Sequence, residues 1–330
     1  MRAPRNKTLT LTDEQRQQLA ADIAGAEALS GCATADDVAD MIVNADLFDV
    51  IGSVPDGVAD LIIIDPPYNL RRKFGEMTFG RSTTREYEAY LRSWFHDVCR
   101  KLKADGSLYM CGDWRCTSAL QRVIEEEGLT VMNRITWQRD KGRGATANWK
   151  NAMEDIWFAV RDPQNYRFDI GAVKMRRRVR APYRAEGQPK DWEQTSEGKF
   201  RTTHPSNFWD DITIPFWSMA ENTDHPTQKP EKLYAKLVLA SSREGDLVFD
   251  PFMGSGTACV VARKLGRRYL GVELNREYCL WAAARLRAAD GDRSIQGYSD
   301  GVFWERNTQA EQIQNSKFSS FKNDNKRPLE

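Results

Sequence analysis

The 330-residue chain has no run of 18 apolar residues, so it carries no candidate membrane-spanning helix. No apolar stretch follows the basic start Met1-Arg2-Ala3-Pro4-Arg5, so no secretory signal is read there. Its six cysteines, Cys32, Cys99, Cys111, Cys116, Cys259 and Cys279, form no C-x-x-C pair, and buried reduced thiols in a cytoplasmic protein are expected. The three histidines, His96, His204 and His225, are too scattered for zinc-site spacing. Net charge is almost absent: 48 basic against 47 acidic residues leave +1, so any basic surface must be local. Gly 22 and Pro 13 exclude a collagen-like or low-complexity chain, while 41% hydrophobic and 10% aromatic residues exclude wholesale disorder.

The length suits two domains, or one with a large insert. Residues 1–41 are polar and Ala-rich; Thr12-Asp13-Glu14-Gln15 reads as a helix start. Asp60 to Ile64 ends in a continuous apolar run bounded by Pro55-Asp56-Gly57 and Asp65-Pro66-Pro67, the pattern of a buried parallel strand. Residues 85–103 are predicted helical, with Tyr87, Leu91, Trp94, Phe95 and Val98 on one face, ending at Asp105-Gly106. A strand over 107–111, a helix over 117–127 and strand-like 130–132 and 135–137 follow. Alternation resumes after Pro230: helix 233–241, strand 247–249, helix 258–265, strand 269–273, helix 277–289. Such alternation predicts an α/β sheet. After Asp290 apolar periodicity is lost, and 305–330 reads as a disordered tail.

Between these halves, from Lys141 to about Asn222, only 155–160 reads as a clear strand. Residues 161–201 hold eleven Lys and Arg against six Asp and Glu, a local net charge of +5. The densest run contains Lys174, Arg176, Arg177, Arg178 and Arg180, and Trp149, Trp157, Tyr166, Tyr183, Trp192, Phe208, Trp209 and Trp217 are interleaved with charge. A solvated face is the bland explanation of such a run; phosphate contacts to a nucleic acid are the sharper one. Arg143, in Lys141-Gly142-Arg143-Gly144, extends the basic set.

Two short segments carry chemistry. Gly254-Ser255-Gly256 lies between a predicted strand and helix, and Glu273 ends the next strand, where a carboxylate can accept from a ribose diol. Asp250 would repel a pyrophosphate but suits a sulfonium or ammonium, and Cys259 replaces the third glycine of a dinucleotide fingerprint. A nicotinamide-dependent oxidoreductase is therefore disfavoured. The second segment is Asp65-Pro66-Pro67-Tyr68 at a strand end. Asp65 and the Pro66 carbonyl offer two acceptors, matched to the two N–H groups of an exocyclic amine, and Tyr68 offers a ring for stacking. The prolines stiffen the turn and preorganise it.

Asp65-Pro66-Pro67-Tyr68, then His225-Pro226-Thr227-Gln228-Lys229-Pro230, then Asp250-Pro251-Phe252-Met253-Gly254-Ser255-Gly256-Thr257 resemble, in that order, the β group of S-adenosylmethionine (SAM)-dependent amino-methyltransferases of DNA. The resemblance covers about 42–142 and 222–290. It implies a Rossmann-like methyltransferase sheet with circularly permuted motif order and an inserted target-recognition region. The expected parts are a helical extension (1–41), a catalytic half (42–142), a recognition insert (143–221), a SAM-binding half (222–290) and a polar tail (291–330).

By the same resemblance Asp65, Pro66, Pro67 and Tyr68 form the target-base pocket, with Asp65 pointing to adenine N6 where cytosine-N4 enzymes usually carry Ser. Asp250, Phe252, Gly254, Ser255, Gly256 and Thr257 line the SAM methionine moiety, and Glu273 takes the ribose hydroxyls. Asp46 faces the SAM adenine, although Ala45 stands where the family usually has Gly. Lys229 is expected on the SAM carboxylate. Arg143, Lys174, Arg176, Arg177, Arg178 and Arg180 are expected on DNA. The implied substrate is double-stranded DNA with the target base flipped out. A cognate restriction endonuclease and a second copy of the chain are the further partners considered, in a bacterial or phage cytoplasm at the nucleoid.

Overall fold

The computed structural model describes residues 4–68, 72–74, 77–79, 83–139, 146–179, 184–195 and 198–306. Its centre is an eight-stranded sheet. From one edge to the other the strands are Met41–Asn44, Arg268–Glu273, Leu247–Asp250, Ala59–Ile64, Leu102–Gly112, Met153–Val160, Thr130–Gln138 and Phe208–Trp209. The first five pair in parallel. Met153–Val160 is antiparallel to both neighbours, and Phe208–Trp209 pairs in parallel with Thr130–Gln138.

The apolar run at 61–64 is continuous because both faces of its strand are covered. Leu61 and Ile63 belong to one core with Leu233, Val260 and Cys279. Ile62 and Ile64 belong to the other with Leu91, Trp94 and Leu120. Helices Glu231–Ser241, Thr257–Lys264 and Arg276–Gly291 supply the first layer, and Thr84–Arg100 and Thr117–Glu126 the second. This is the α/β sheet the alternation predicts, in the Rossmann-like form the resemblance implies. No helix among the described residues is long and apolar enough to cross a membrane.

Motif order and sheet order differ as a permutation requires. Asn44, early in the chain, lies opposite Glu273, and its side-chain amide donates to the carbonyls of Glu273 and Leu274 at 3.0 and 2.9 Å. From Leu247–Asp250 the chain winds toward one edge, and from Ala59–Ile64 toward the other. The crevice between Asp250 and Asp65 is therefore the topological switch point, where open α/β sheets bind ligands.

Three expectations are corrected. The helix ends at Arg100 rather than near 103, because the next strand already begins at Leu102 and Lys103–Gly106 bulge out between the Ala59 and Leu61 pairings. The insert is not irregular: Glu193–Thr195, Gly198–Thr203, Met175–Arg178, Val302–Trp304 and Tyr298–Ser299 form a five-stranded second sheet. Its strands are too short and charged to show alternation. Third, the residues after Asp290 are not simply a polar tail, for Phe303 and Trp304 are buried and pair with Met175 and Arg176. The N-terminal segment holds the short helix Asp13–Leu19, opened by a Thr12 capping box. It is tied to the helix Arg276–Gly291 by Arg16 on Glu277 and Arg287 on Asp22.

Candidate functional site

The strand ends at the switch point open into a cavity of about 750 Å³. It is lined by Asp46, Asp65 to Tyr68, Lys229, Asp250 to Ser255, Thr257 and Glu273, so the sequence-predicted catalytic and cofactor sets meet in one space. Of the expected cofactor residues only Gly256 is outside the lining; it caps the helix below.

The turn after Leu247–Asp250 is built for close approach. Gly254 and Gly256 have φ of +54° and +81°. A Cβ on Gly256 would lie 2.5 Å from the Ala282 Cβ, and one on Gly254 3.1 Å from the His225 ring. Buried Arg285 fastens the turn from below, donating to the Ser255 carbonyl at 2.7 Å and to Thr257 Oγ1 at 3.1 Å while its other nitrogen reaches Glu231 at 3.0 Å.

The lining is acidic where the expected cofactor is cationic. Asp250 is 2% exposed, and burial pushes its carboxyl well above the usual range against the opposing Phe252 N–H. Glu273 is also raised by burial, although its oxygens accept from the Gly254 and Asn275 N–H groups at 2.9 and 2.7 Å. A cation would stabilise both charged forms. Asp46 accepts from the Phe48 N–H at 3.0 Å and caps a short helix, which places half-exposed Phe48 at the same wall. A glycine cradle, an acceptor at the second strand end and an acidic, partly aromatic wall fit SAM.

The Asp65–Tyr68 segment is knitted to a lysine. Asp65 Oδ1 accepts from the Tyr68 hydroxyl at 2.8 Å, and Oδ2 from the Lys229 ammonium at 2.6 Å. Lys229 also donates to the Tyr68 oxygen at 3.0 Å and lies 3.4 Å from Glu154 Oε2. Burial pulls Lys229 toward neutrality, but Asp65 and Glu154 outweigh it and hold the ammonium above its ordinary value. Burial, with Asp65 nearby, raises the Tyr68 phenol, so it remains a donor. The Pro67 carbonyl is fixed by the Tyr87 hydroxyl at 3.1 Å. Lys229, expected on the methionine carboxylate, lies on the Asp65 carboxylate. Two residues of the site, Glu154 and Arg285, escape sequence reasoning; Glu154 immediately precedes the strand read at 155–160, and only that position hints at it.

The expected DNA contacts divide. Lys174 and Arg178 are exposed. Arg177 is half-buried, 3.8 Å from Asp210. Arg176 is used internally: it pairs with Glu193 at 2.5 Å, and its guanidinium lies over Phe200 and Trp304 at 5.0 and 5.5 Å. Trp157, Trp192 and Trp209 are core, whereas Trp149, Phe208 and Trp217 are exposed. Arg143, Arg180 and Tyr183 lie outside the described residues.

Comparison with known proteins gives a consistent picture. Residues 59–284 match the N6/N4 DNA methylase family. The type II methyltransferase M.HpaI of Haemophilus parainfluenzae is 32% identical over 69% of this chain and 68% of its own length. The DNA adenine methyltransferase YhdJ of Escherichia coli is 31% identical over 75% of this chain and 83% of its own. Among solved structures, the cytosine-N4-specific PvuII DNA methyltransferase superposes with a TM-score of 0.53 at 20% identity, covering 74% of this chain and 85% of that one. The M1.HpyAVI–SAM complex gives 0.51 at 22%, covering 74% and 98%. These two likenesses are of fold.

Proposed function

The chain belongs to the N6/N4 DNA methylase family and is a SAM-dependent DNA methyltransferase; from that premise we propose that its target is the N6 amino group of adenine in double-stranded DNA. The observation that carries this reading is Asp65, a carboxylate at the cavity mouth whose two oxygens are already oriented by Tyr68 and Lys229. The adenine methyltransferase YhdJ, at 31% identity, supports it.

The amino lone pair of adenine is delocalised into the ring and is a weak nucleophile. Asp65 and the Pro66 carbonyl accept its two N–H bonds and draw the nitrogen toward tetrahedral geometry. Each Asp65 oxygen has a further lone pair beyond the bond it already accepts. SAM, when bound, supplies the electrophilic methyl group. As the amine nitrogen gains positive charge, anionic Asp65 stabilises it, an interaction stronger in the transition state than in the ground state. Tyr68 provides the face for the flipped base. Asp46, Asp250, Phe252, Gly254, Ser255, Gly256, Thr257 and Glu273 form the cofactor side in this reading. The exposed Lys174 and Arg178 stand on the DNA side, Arg177 beside them. A cognate restriction endonuclease and a second copy of the chain remain part of the proposal only as partners to test for.

The deciding experiment is methyl transfer to unmethylated genomic DNA, followed by nucleoside mass spectrometry of the digest. N6-methyladenine is the expected product. N4-methylcytosine would refute the adenine assignment while leaving the family intact.

A further inference from the structure

The antiparallel strand Met153–Val160 runs against its neighbours, so its first residues reach the end of the sheet where the parallel strands finish. That brings Glu154 behind the catalytic motif. Glu154 is 3% exposed. One of its oxygens pairs with Arg139, the residue after the Thr130–Gln138 strand. The other, Oε2, accepts no hydrogen bond among the described residues and faces the Lys229 ammonium at 3.4 Å. Charges therefore alternate along one line: Arg139, Glu154, Lys229, Asp65. Neither Glu154 nor Arg139 lines the cavity.

A carboxylate and an ammonium at 2.6 Å largely cancel. Asp65 paired with Lys229 alone would present a near-neutral pair to the amine. It would also place a buried cation beside a nitrogen that becomes positive. A second carboxylate on the far side of Lys229 shares the ammonium, so Lys229 neutralises Asp65 less completely; with Arg139 the line sums to zero, but its negative end is the one that faces the pocket. We propose that Glu154 is a positioning residue for methyl transfer, holding and balancing Lys229 so that Asp65 acts on the target amine as an anion. The proposal rests on the reading of Asp65 as the acceptor for that amine. Its effect falls on the step in which charge develops, not on the binding of either substrate.

The test compares two substitutions in the full-length protein by single-turnover methylation of DNA, with SAM binding and thermal melting in parallel. Glu154→Gln keeps the shape and an acceptor for Arg139 but removes the charge; Glu154→Asp keeps the charge and shortens the side chain. The Gln variant should slow transfer roughly 10- to 100-fold, about the value of one unit charge several ångströms away at an effective dielectric near 20. The KM for DNA and the Kd for SAM should stay within about threefold. The Asp variant should be the faster of the two. The reverse order, or a slow Gln variant whose Tm and SAM affinity fall in step, would mean that Glu154 only packs the site and would overturn the proposal. So would full activity of Glu154→Gln when Asp65→Ala is inactive. Full activity of Asp65→Ala would instead remove the premise itself.

Discussion

At the scale of single residues, the group that does most in the proposed reaction is Asp65, and its surroundings say what its loss should do. Its oxygens hold Tyr68 and Lys229, while the cofactor turn is fastened separately by Arg285 and Glu273. The two halves of the cavity are thus held by different side chains and meet at Lys229, whose carbonyl accepts from Thr257 Oγ1 at 3.1 Å. Asp65→Ala should lower the rate of methyl transfer by about 10²–10³-fold or more, the scale seen when one preorganised partner of a developing charge is removed. SAM affinity should stay within about threefold of wild type, as read by equilibrium binding. Substantial retained turnover would show that the amine is held by another acceptor. The outline of this site is legible in the sequence because each half is contiguous: Asp65 to Tyr68 on one strand end, Asp250 to Thr257 on another. The link between the halves is not. Lys229 reads as a residue of the His225–Pro230 block, and only the fold shows its ammonium between Asp65 and Glu154. Pairings set by sheet order leave no spacing to read.

At the scale of elements, the same distinction governs the basic run. A dense row of arginines reads as one electrostatic feature, but strand geometry sends neighbours to opposite faces. In Met175–Arg178, Arg177 turns toward Asp210, while Arg176 and Arg178 share the other face and lie over the Phe200 ring at 5.0 and 5.8 Å. Arg176 is held further by Trp304 and Glu193, whereas Arg178, at the strand end, is exposed beside Glu305, whose carboxylate accepts its backbone N–H. The element is a strand because Gly198–Thr203 and Val302–Trp304 flank it, and the second of these comes from beyond the expected insert. No local pattern could reveal that pairing, since its partner lies in a stretch read as tail. Neutralising these residues should therefore give two different phenotypes. Lys174→Ala and Arg178→Ala should leave melting near wild type and flatten the log–log salt dependence of DNA binding by about one unit for each phosphate no longer neutralised. Arg176→Met should lower the melting temperature by a few degrees, because it removes the guanidinium from two aromatic faces. Unchanged salt slopes in the first pair would return Lys174 and Arg178 to a solvated face.

At the scale of the whole molecule, the segment around Trp209 and Asp211, the helix Glu231–Ser241 and the C-terminal strands are joined at one buried charge cluster. Asp211 accepts from Lys236 at 2.8 and 2.9 Å and pairs with Lys232 at 2.7 Å. Lys232 also donates to the carbonyls of Asp211 and Trp304, and Lys236 lies over the Trp209 and Phe303 rings at 4.8 and 5.5 Å. Helix Glu231–Ser241, which carries both lysines, follows directly on the block containing Lys229. Burial pushes Lys236 down to about 8 even with Asp211 opposing it. Removing that carboxylate leaves two buried ammonium groups without their counter-charge. Asp211→Asn should cost about 3–5 kcal/mol, the usual penalty for breaking a buried ion pair, and lower Tm by on the order of 10 °C. The sign of its pH response follows from linkage. A lysine whose folded value lies below its unfolded value near 10.4 leaves the unfolded chain holding more protons between the two, so stability rises with pH across that window. Loss of Asp211 lowers the folded value further and widens the window downward. Through Lys236, the deficit of Asp211→Asn should therefore be largest below the variant's folded value, shrink as pH rises toward the wild-type value of about 8, and level off above it. Thermal melts of variant and wild type at intervals from pH 6 to 10 check this directly. A variant within about 2 °C of wild type at neutral pH, or a deficit that grows with pH, would show that the two lysines find other partners and that the segment around Trp209 and Asp211 is held to the core by its apolar contacts alone.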